Sequence, residues 1–178
     1  MIKKRIRSIL NSHDLIKLYN ILILKDFNKV KEFINDYGLE AVDKDGNNVF
    51  LYCVSDKTFN MLAKKMIEQI KDLNINFQNK TGNSALHIAV TNKDMDLLEL
   101  LLKNKNIKID ISDCNGDTPL TKALFLFDKR FDEDIVIKLL DCGADINKFD
   151  KYGYRLNEYI KSMNKVKNFI KENEIIII

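Results

Sequence analysis

The chain has 178 residues, 29 basic against 26 acidic, and a formal net charge of +3. That balance is too even to announce a nucleic-acid binder, and because only 4 of the basic residues are Arg there is little guanidinium for bidentate phosphate contacts. Hydrophobic residues at 46% with charged residues at 31% describe a globular protein, and no apolar run reaches the roughly 18 residues that a membrane-spanning helix needs.

The first segment, Met1 to Asn11, is basic but lacks the continuous apolar stretch of a secretory signal. Ile2, Ile6, Ile9 and Leu10 fall on one helical face, with Lys3, Lys4, Arg5 and Arg7 elsewhere. Residues 1–13 are therefore predicted to form a short amphipathic helix. Asp14 to Leu24 and Asn28 to Asp36, closed by Gly38, read as a helix pair. Leu15, Ile16, Leu18, Ile21, Leu22, Ile23 and Leu24 make its first helix apolar nearly all round, so the N-terminal helix is expected to lie over it.

Beyond residue 43 the chain repeats itself. Lys80-Thr81-Gly82-Asn83-Ser84-Ala85-Leu86-His87-Ile88-Ala89 aligns with Cys114-Asn115-Gly116-Asp117-Thr118-Pro119-Leu120-Thr121-Lys122-Ala123. Lys44-Asp45-Gly46-Asn47-Asn48-Val49-Phe50-Leu51-Tyr52-Cys53 is a more divergent version, and Lys151-Tyr152-Gly153-Tyr154-Arg155 opens a fourth. The glycines stand 36, 34 and 37 residues apart. Each Asp/Asn-x-x-Gly stretch is turn chemistry, with Gly at the tip supplying a positive φ. Ser84 or Thr118 then caps a helix, and Pro119 sits where its missing N–H costs nothing. Leu86 with Ala89, and Leu120 with Ala123, lie one helical turn apart and face inward. A second apolar helix follows (Leu97, Leu98, Leu100, Leu101 in one repeat; Ile135, Val136, Leu139, Leu140 in the next). Gly143 in Gly143-Ala144-Asp145-Ile146-Asn147 is a natural helix stop.

These phrases resemble the ankyrin-repeat family, specifically Gly-x-Thr-Pro-Leu at Gly116–Leu120 and Gly-Ala-Asp-Ile-Asn at Gly143–Asn147. The resemblance implies an all-α solenoid of antiparallel helix pairs joined by turn fingers, since a unit of this size cannot bury its apolar face without neighbours. It divides residues 14–174 into a cap (14–42), repeats at 43–78, 79–112 and 113–149, and a C-terminal cap (150–174), with an apolar tail at 175–178. Departures are plain: Val49 and Cys53 replace the usual Pro and Ala, and Asn157 stands where Leu is usual. The third repeat carries extra residues at 127–134.

No residue set announces chemistry. His87 occupies the family's structural His position, and no Cys, Asp or second His lies at ligand spacing. The three Cys (Cys53, Cys114, Cys142) form no Cys-x-x-Cys pair, which argues against zinc or a disulfide framework and for a reducing, cytoplasmic setting. There is no phosphate-binding glycine loop. Neither cofactor, metal nor catalytic set is expected, and the chain is read as a non-enzyme.

The resemblance implies instead a protein–protein interaction module that binds its partner on a concave face of turn tips and first-helix sides. Position by position this gives Lys44, Asp45 and Asn47, then Lys80, Thr81 and Asn83, then Cys114, Asn115 and Asp117, then Lys151, Tyr152 and Tyr154. Tyr52, Asp56, Thr91 and Asn92 add the helix faces. Phe125, Phe127 and Phe131 around the third-repeat insertion are contact candidates because aromatic clusters concentrate binding energy, with packing between neighbouring repeats as the plainer alternative. Gly46, Gly82, Ser84, Leu86, His87, Ala89, Gly116, Thr118, Pro119, Leu120, Ala123, Gly143, Asn147 and Gly153 are assigned to the repeat scaffold. The expected partner is another protein, with no small-molecule substrate and no nucleic acid, and the chain is expected as a monomer alone or in a 1:1 hetero-complex. The role suits an inhibitor or immunity-type protein; a host-directed effector and a Lys-mediated binder of nucleic acid or acidic surfaces are the alternatives.

Overall fold

The computed structural model describes residues 9–125, 133–149 and 152–175. Among them are nine α-helices, two short 3-10 segments and isolated β-bridges, with no sheet. The chain divides into two compact units, residues 1–85 and 86–178.

In the first unit, α1 (Ser12–Ile23) pairs with α2 (Phe27–Tyr37), and α3 (Val49–Ser55) with α4 (Asn60–Gln69). Side-chain caps set the starts. The Asn11 side chain accepts from the amides of His13 and Asp14, and the Asn11 amide donates to Asp14 Oδ2 at 2.9 Å, so both ends of a capping box are filled. Asp26 caps α2, and Asn48 caps α3 by accepting from the Leu51 amide at 2.9 Å. Leu18, Leu22, Val30, Phe33, Phe50, Leu51, Leu62 and Met66 form the buried core of this unit.

The N-terminal expectation needs correcting where it can be compared. Residues 1–8, with Ile2, Lys3 and Ile6, lie outside the described residues. Ile9 and Leu10 are extended, not helical: Ile9 forms a parallel bridge with Val42, and the Leu10 amide donates to the Val42 carbonyl at 2.8 Å. The cause is local. Leu10 is buried, and Asn11 must hold an extended ψ of 176° to cap α1, so helix begins only at Ser12.

The second unit opens with α5 (Ala85–Thr91) and α6 (Met95–Leu102), joined by a tight turn in which Lys93 takes a φ of 51°. Asp94, itself buried, caps α6 through the Leu97 amide. Next come α7 (Pro119–Phe125) and α8 (Glu133–Asp141), which pack together. Pro119 sits at the first helical position, and Thr118 accepts from the Thr121 amide at 3.1 Å. A 3-10 segment (Leu156–Ser162) and α9 (Asn164–Glu172) finish the unit. Leu156, Ile160, Met163, Val166 and Ile170 are its buried positions, and α9 lies against α8.

Candidate protein-binding surface

Three turns are built on one plan. In each, a side chain three residues before the glycine folds back over its own loop. Asp43 accepts from the amides of Asp45 (2.8 Å) and Asn47 (2.7 Å), and its carbonyl accepts from Gly46. Asn79 accepts from the amides of Thr81 and Asn83, and Asp113 from those of Asn115 and Asp117. This Asx-turn chemistry satisfies loop amides that have no helix or sheet to pair with.

The residue six places after the glycine decides how the anchor is tied to its helix. Tyr52 Oη donates to Asp43 Oδ2 at 2.7 Å. Lys122 Nζ lies 2.8 Å from Asp113 Oδ2, in an ion pair whose carboxylate is almost wholly buried. Ile88 fills the same place in the middle repeat and cannot donate. There Asn79 reaches sideways instead, its Nδ2 donating to Asn47 Oδ1 at 3.0 Å, while the Lys80 amide donates to the Asp45 carbonyl. The two turns of the first unit are thus bonded tip to tip. Gly46 is placed where they touch: its φ is +84°, and a Cβ there would come within 2.8 Å of the Lys80 nitrogen.

Electrostatics follow from these contacts. Burial alone would raise the Asp43 carboxyl, but the bonds from Tyr52, Asn47 and Asp45 outweigh it and hold it below its usual value. Burial and then the Asp43 hydrogen bond raise the Tyr52 phenol. At Asp113 burial is again outweighed, here by Lys122 and the amides of Asn115 and Asp117. Burial also pushes the Cys53 thiol up to about 12, the behaviour of a core residue. His87 is fully buried, and its Nε2 lies 3.0 Å from the Asp117 carbonyl oxygen. Burial lowers its pKa, so the ring is a neutral strut between α5 and the next turn.

The residues singled out in the sequence are distributed as follows. Lys44, Asp45, Lys80, Thr81, Cys114 and Asn115 are exposed at the tips, and Asn47, Asn83 and Asp117 are half-buried by turn bonding. Tyr52 is half-buried beside its tip. Asp56 caps the 3-10 segment through the Thr58 amide. Thr91 and Asn92 are exposed at the end of α5, with Thr91 Oγ1 donating to the His87 carbonyl. Tyr152 (69%) and Tyr154 (62%) are well exposed, together with Phe149, whose ring carries the Arg155 guanidinium at 5.0 Å. Phe125 packs edge-on against Tyr159 at 4.7 Å, so it joins α7 to the C-terminal cap. Phe127, Phe131 and Lys151 lie outside the described residues.

Sequence reasoning named the tips but not their anchors. Asp43, Asn79 and Asp113 carried a signal, an Asp or Asn three residues before the glycine of each repeat phrase, while Lys122 carried none. Among the described residues no group of His, Cys, Asp and Glu is placed to hold a metal ion, and no helix is long and apolar enough to cross a membrane.

Comparison with known proteins agrees with this geometry. The family described as ankyrin repeats (3 copies) matches residues 20–113 and again 57–150, together well over half of the chain. The chain belongs to the ankyrin-repeat family. Among curated relatives of this ankyrin-repeat chain, neurogenic locus notch homolog protein 1 of Xenopus tropicalis is 29% identical over 104 residues, 58% of this chain. The protein of the same name from Mus musculus is 31% identical over the same length, and neurogenic locus notch homolog protein 2 of Homo sapiens 29%. This chain spans only 4% of the length of each of those relatives. Ankyrin repeats are a non-catalytic scaffold for protein–protein interaction.

Proposed function

We propose that this chain binds a partner protein through its turn tips and the exposed sides of the helices that follow them, and that it works as an inhibitor or immunity-type protein. The observation that carries the reading is the division of labour in each described turn. Asp43, Asn79 and Asp113 hold the loop from within, leaving Lys44, Asp45, Lys80, Thr81, Cys114 and Asn115 exposed. A surface held rigid in this way loses little conformational entropy when a partner docks. Tyr152 and Tyr154 add exposed aromatic area with a hydroxyl, the residue type that most often anchors such contacts.

An inhibitor needs only to cover its target's working surface, which requires no reactive group of its own. The test starts with capture of the partner from the native source and proceeds to its dissociation constant with the purified chain. The Tyr152→Ala/Tyr154→Ala and Lys44→Glu/Lys80→Glu variants should each weaken binding at least tenfold with unchanged circular dichroism. Unchanged affinity in both variants would reject the tips as the binding surface. A gene for a toxin or secreted enzyme beside this one, silenced by the purified chain, would support inhibition; a partner fully active in the complex would reject it.

A further inference from the structure

The three anchored turns differ in the residue that precedes the glycine: Asp45, Thr81 and Asn115. Of the 20 asparagines in the chain, only Asn115 is followed by glycine. The pair matters because an asparagine side-chain carbonyl carbon can reach the backbone nitrogen of the next residue, and glycine has no Cβ to shield that nitrogen. Asn115 and Gly116 are both exposed, and nothing lies within 4 Å of where a Cβ on Gly116 would stand. The Asn115 main-chain amide donates to Asp113 Oδ1 at 2.8 Å, while among the described residues no hydrogen bond holds its carboxamide. The carboxamides of Asn47 and Asn83 are tied, to Asp43 Oδ2 at 3.1 Å and to Thr81 Oγ1 at 2.9 Å.

We propose that Asn115-Gly116 is a site of spontaneous deamidation that gives the third turn tip a negative charge. The Gly116 nitrogen, its proton passed to water, attacks Asn115 Cγ. A bond forms between that nitrogen and Cγ, the Cγ–Nδ2 bond breaks, and ammonia leaves a cyclic succinimide. Water then opens the ring. Breaking the new N–Cγ bond yields Asp, and breaking the original peptide bond yields isoaspartate. The net change is carboxamide and water to carboxylate and ammonium, with nothing oxidised or reduced.

The other two tips lack this route. Thr81 has no side-chain carbonyl. Asp45 has no ammonia to expel, and its main-chain carbonyl is held by the Lys80 amide at 3.0 Å. At the third tip one bond opposes the attack, because the Gly116 amide donates to the Asp113 carbonyl at 3.0 Å and must leave it first. Exchanging such a bond for water lowers the reactive population by about tenfold. The product carboxylate is ionised at neutral pH and stands between Asp113 and Asp117, and isoaspartate also adds a main-chain carbon to the turn. This chemistry goes beyond partner binding and does not rest on it; only its effect on a bound partner does.

The test is to age the full chain at neutral pH, folded in buffer and unfolded in guanidinium chloride, and to follow tryptic peptides by mass spectrometry. Asn115 is the only asparagine or glutamine between Lys108 and Lys122, so the mass gain in that peptide locates the change without ambiguity. Folded chain should convert there to a mixture of isoaspartate and Asp, about tenfold more slowly than unfolded chain. Asn47 and Asn83 should stay intact over the same period. A folded chain still unconverted at Asn115 when the unfolded chain has reacted fully would overturn the proposal. So would Asp formed without isoaspartate, which bypasses the succinimide, or conversion of Asn47 and Asn83 at the same pace.

Discussion

Tyr52 Oη donates to the buried Asp43 carboxylate at 2.7 Å, fastening α3 to the turn that precedes it. Seventy residues later the same relationship recurs with different chemistry, Lys122 to Asp113 at 2.8 Å. One position in the repeat therefore acts as a latch on the finger, and it sits beside the surface proposed to meet a partner.

Removing that latch costs stability without disturbing the core. Tyr52→Phe keeps the ring and deletes the donor, leaving Asp43 one hydrogen bond short in a buried place. The loss should be about 1–2 kcal/mol, measured by urea denaturation of wild type and variant at pH 7. No change in midpoint would mean that the bond contributes nothing beyond what water supplies.

Acid should loosen the first and third turns but not the second. Asp43 and Asp113 have pKa values held below the usual 3.8, so each binds fewer protons folded than unfolded. Their stabilisation is fully present above the unfolded value and is lost as pH falls through the folded one. The middle turn is anchored by Asn79 and has no such dependence. Asp113→Asn should be less stable than wild type at pH 7 yet lose less stability below pH 4, and two parallel acid profiles would contradict this.

His87 adds a dependence at milder pH. Its folded pKa lies below the ordinary 6.5 because it is buried, so the folded chain resists protonation that the unfolded chain accepts. Stability should begin to fall as pH drops below 6.5 and continue down to the folded value. Thermal melts of wild type and His87→Leu from pH 7.5 to 5 should show a slope in the first that is missing from the second.

Two glycines with nearly equal φ give a direct comparison. Gly46→Ala meets both backbone strain and the Lys80 nitrogen at 2.8 Å, whereas Gly116 has nothing within 4 Å of the same methyl position. Both substitutions should destabilise, by about 1 kcal/mol at Gly116 and about 3 kcal/mol at Gly46. Equal losses would show that the tip-to-tip approach yields easily.

Much of the fold is legible because the repeat states it more than once. Gly82 and Gly116 fix the phrase, Thr118 and Pro119 mark a helix start, and Gly143 marks a stop; each acts through its own backbone chemistry. The helix expected over residues 1–13 fails at Ile9 and Leu10 for the opposite reason. Ile9 and Leu10 have helical spacing, but their geometry is set by Val42, more than thirty residues away, and no local pattern reports that pairing. The tips were legible as positions, since an Asx turn leaves two residues facing outward. Phe125 stood between two readings, contact or packing between repeats, because its choice between solvent and Tyr159 is decided by tertiary packing. Lys122 was also hidden, as one of 25 lysines with nothing in the sequence to separate it from the rest.

The bond from Asn79 to Asn47, with that from Lys80 to Asp45, makes neighbouring loops into a single object. On the surface proposed to meet a partner, selection can redraw Lys44 or Asn115 at will. Altering Asn47 instead disturbs two fingers at once. The chain's capacity to change allegiance is therefore uneven across its surface, generous at the outermost side chains and nearly frozen one residue further in.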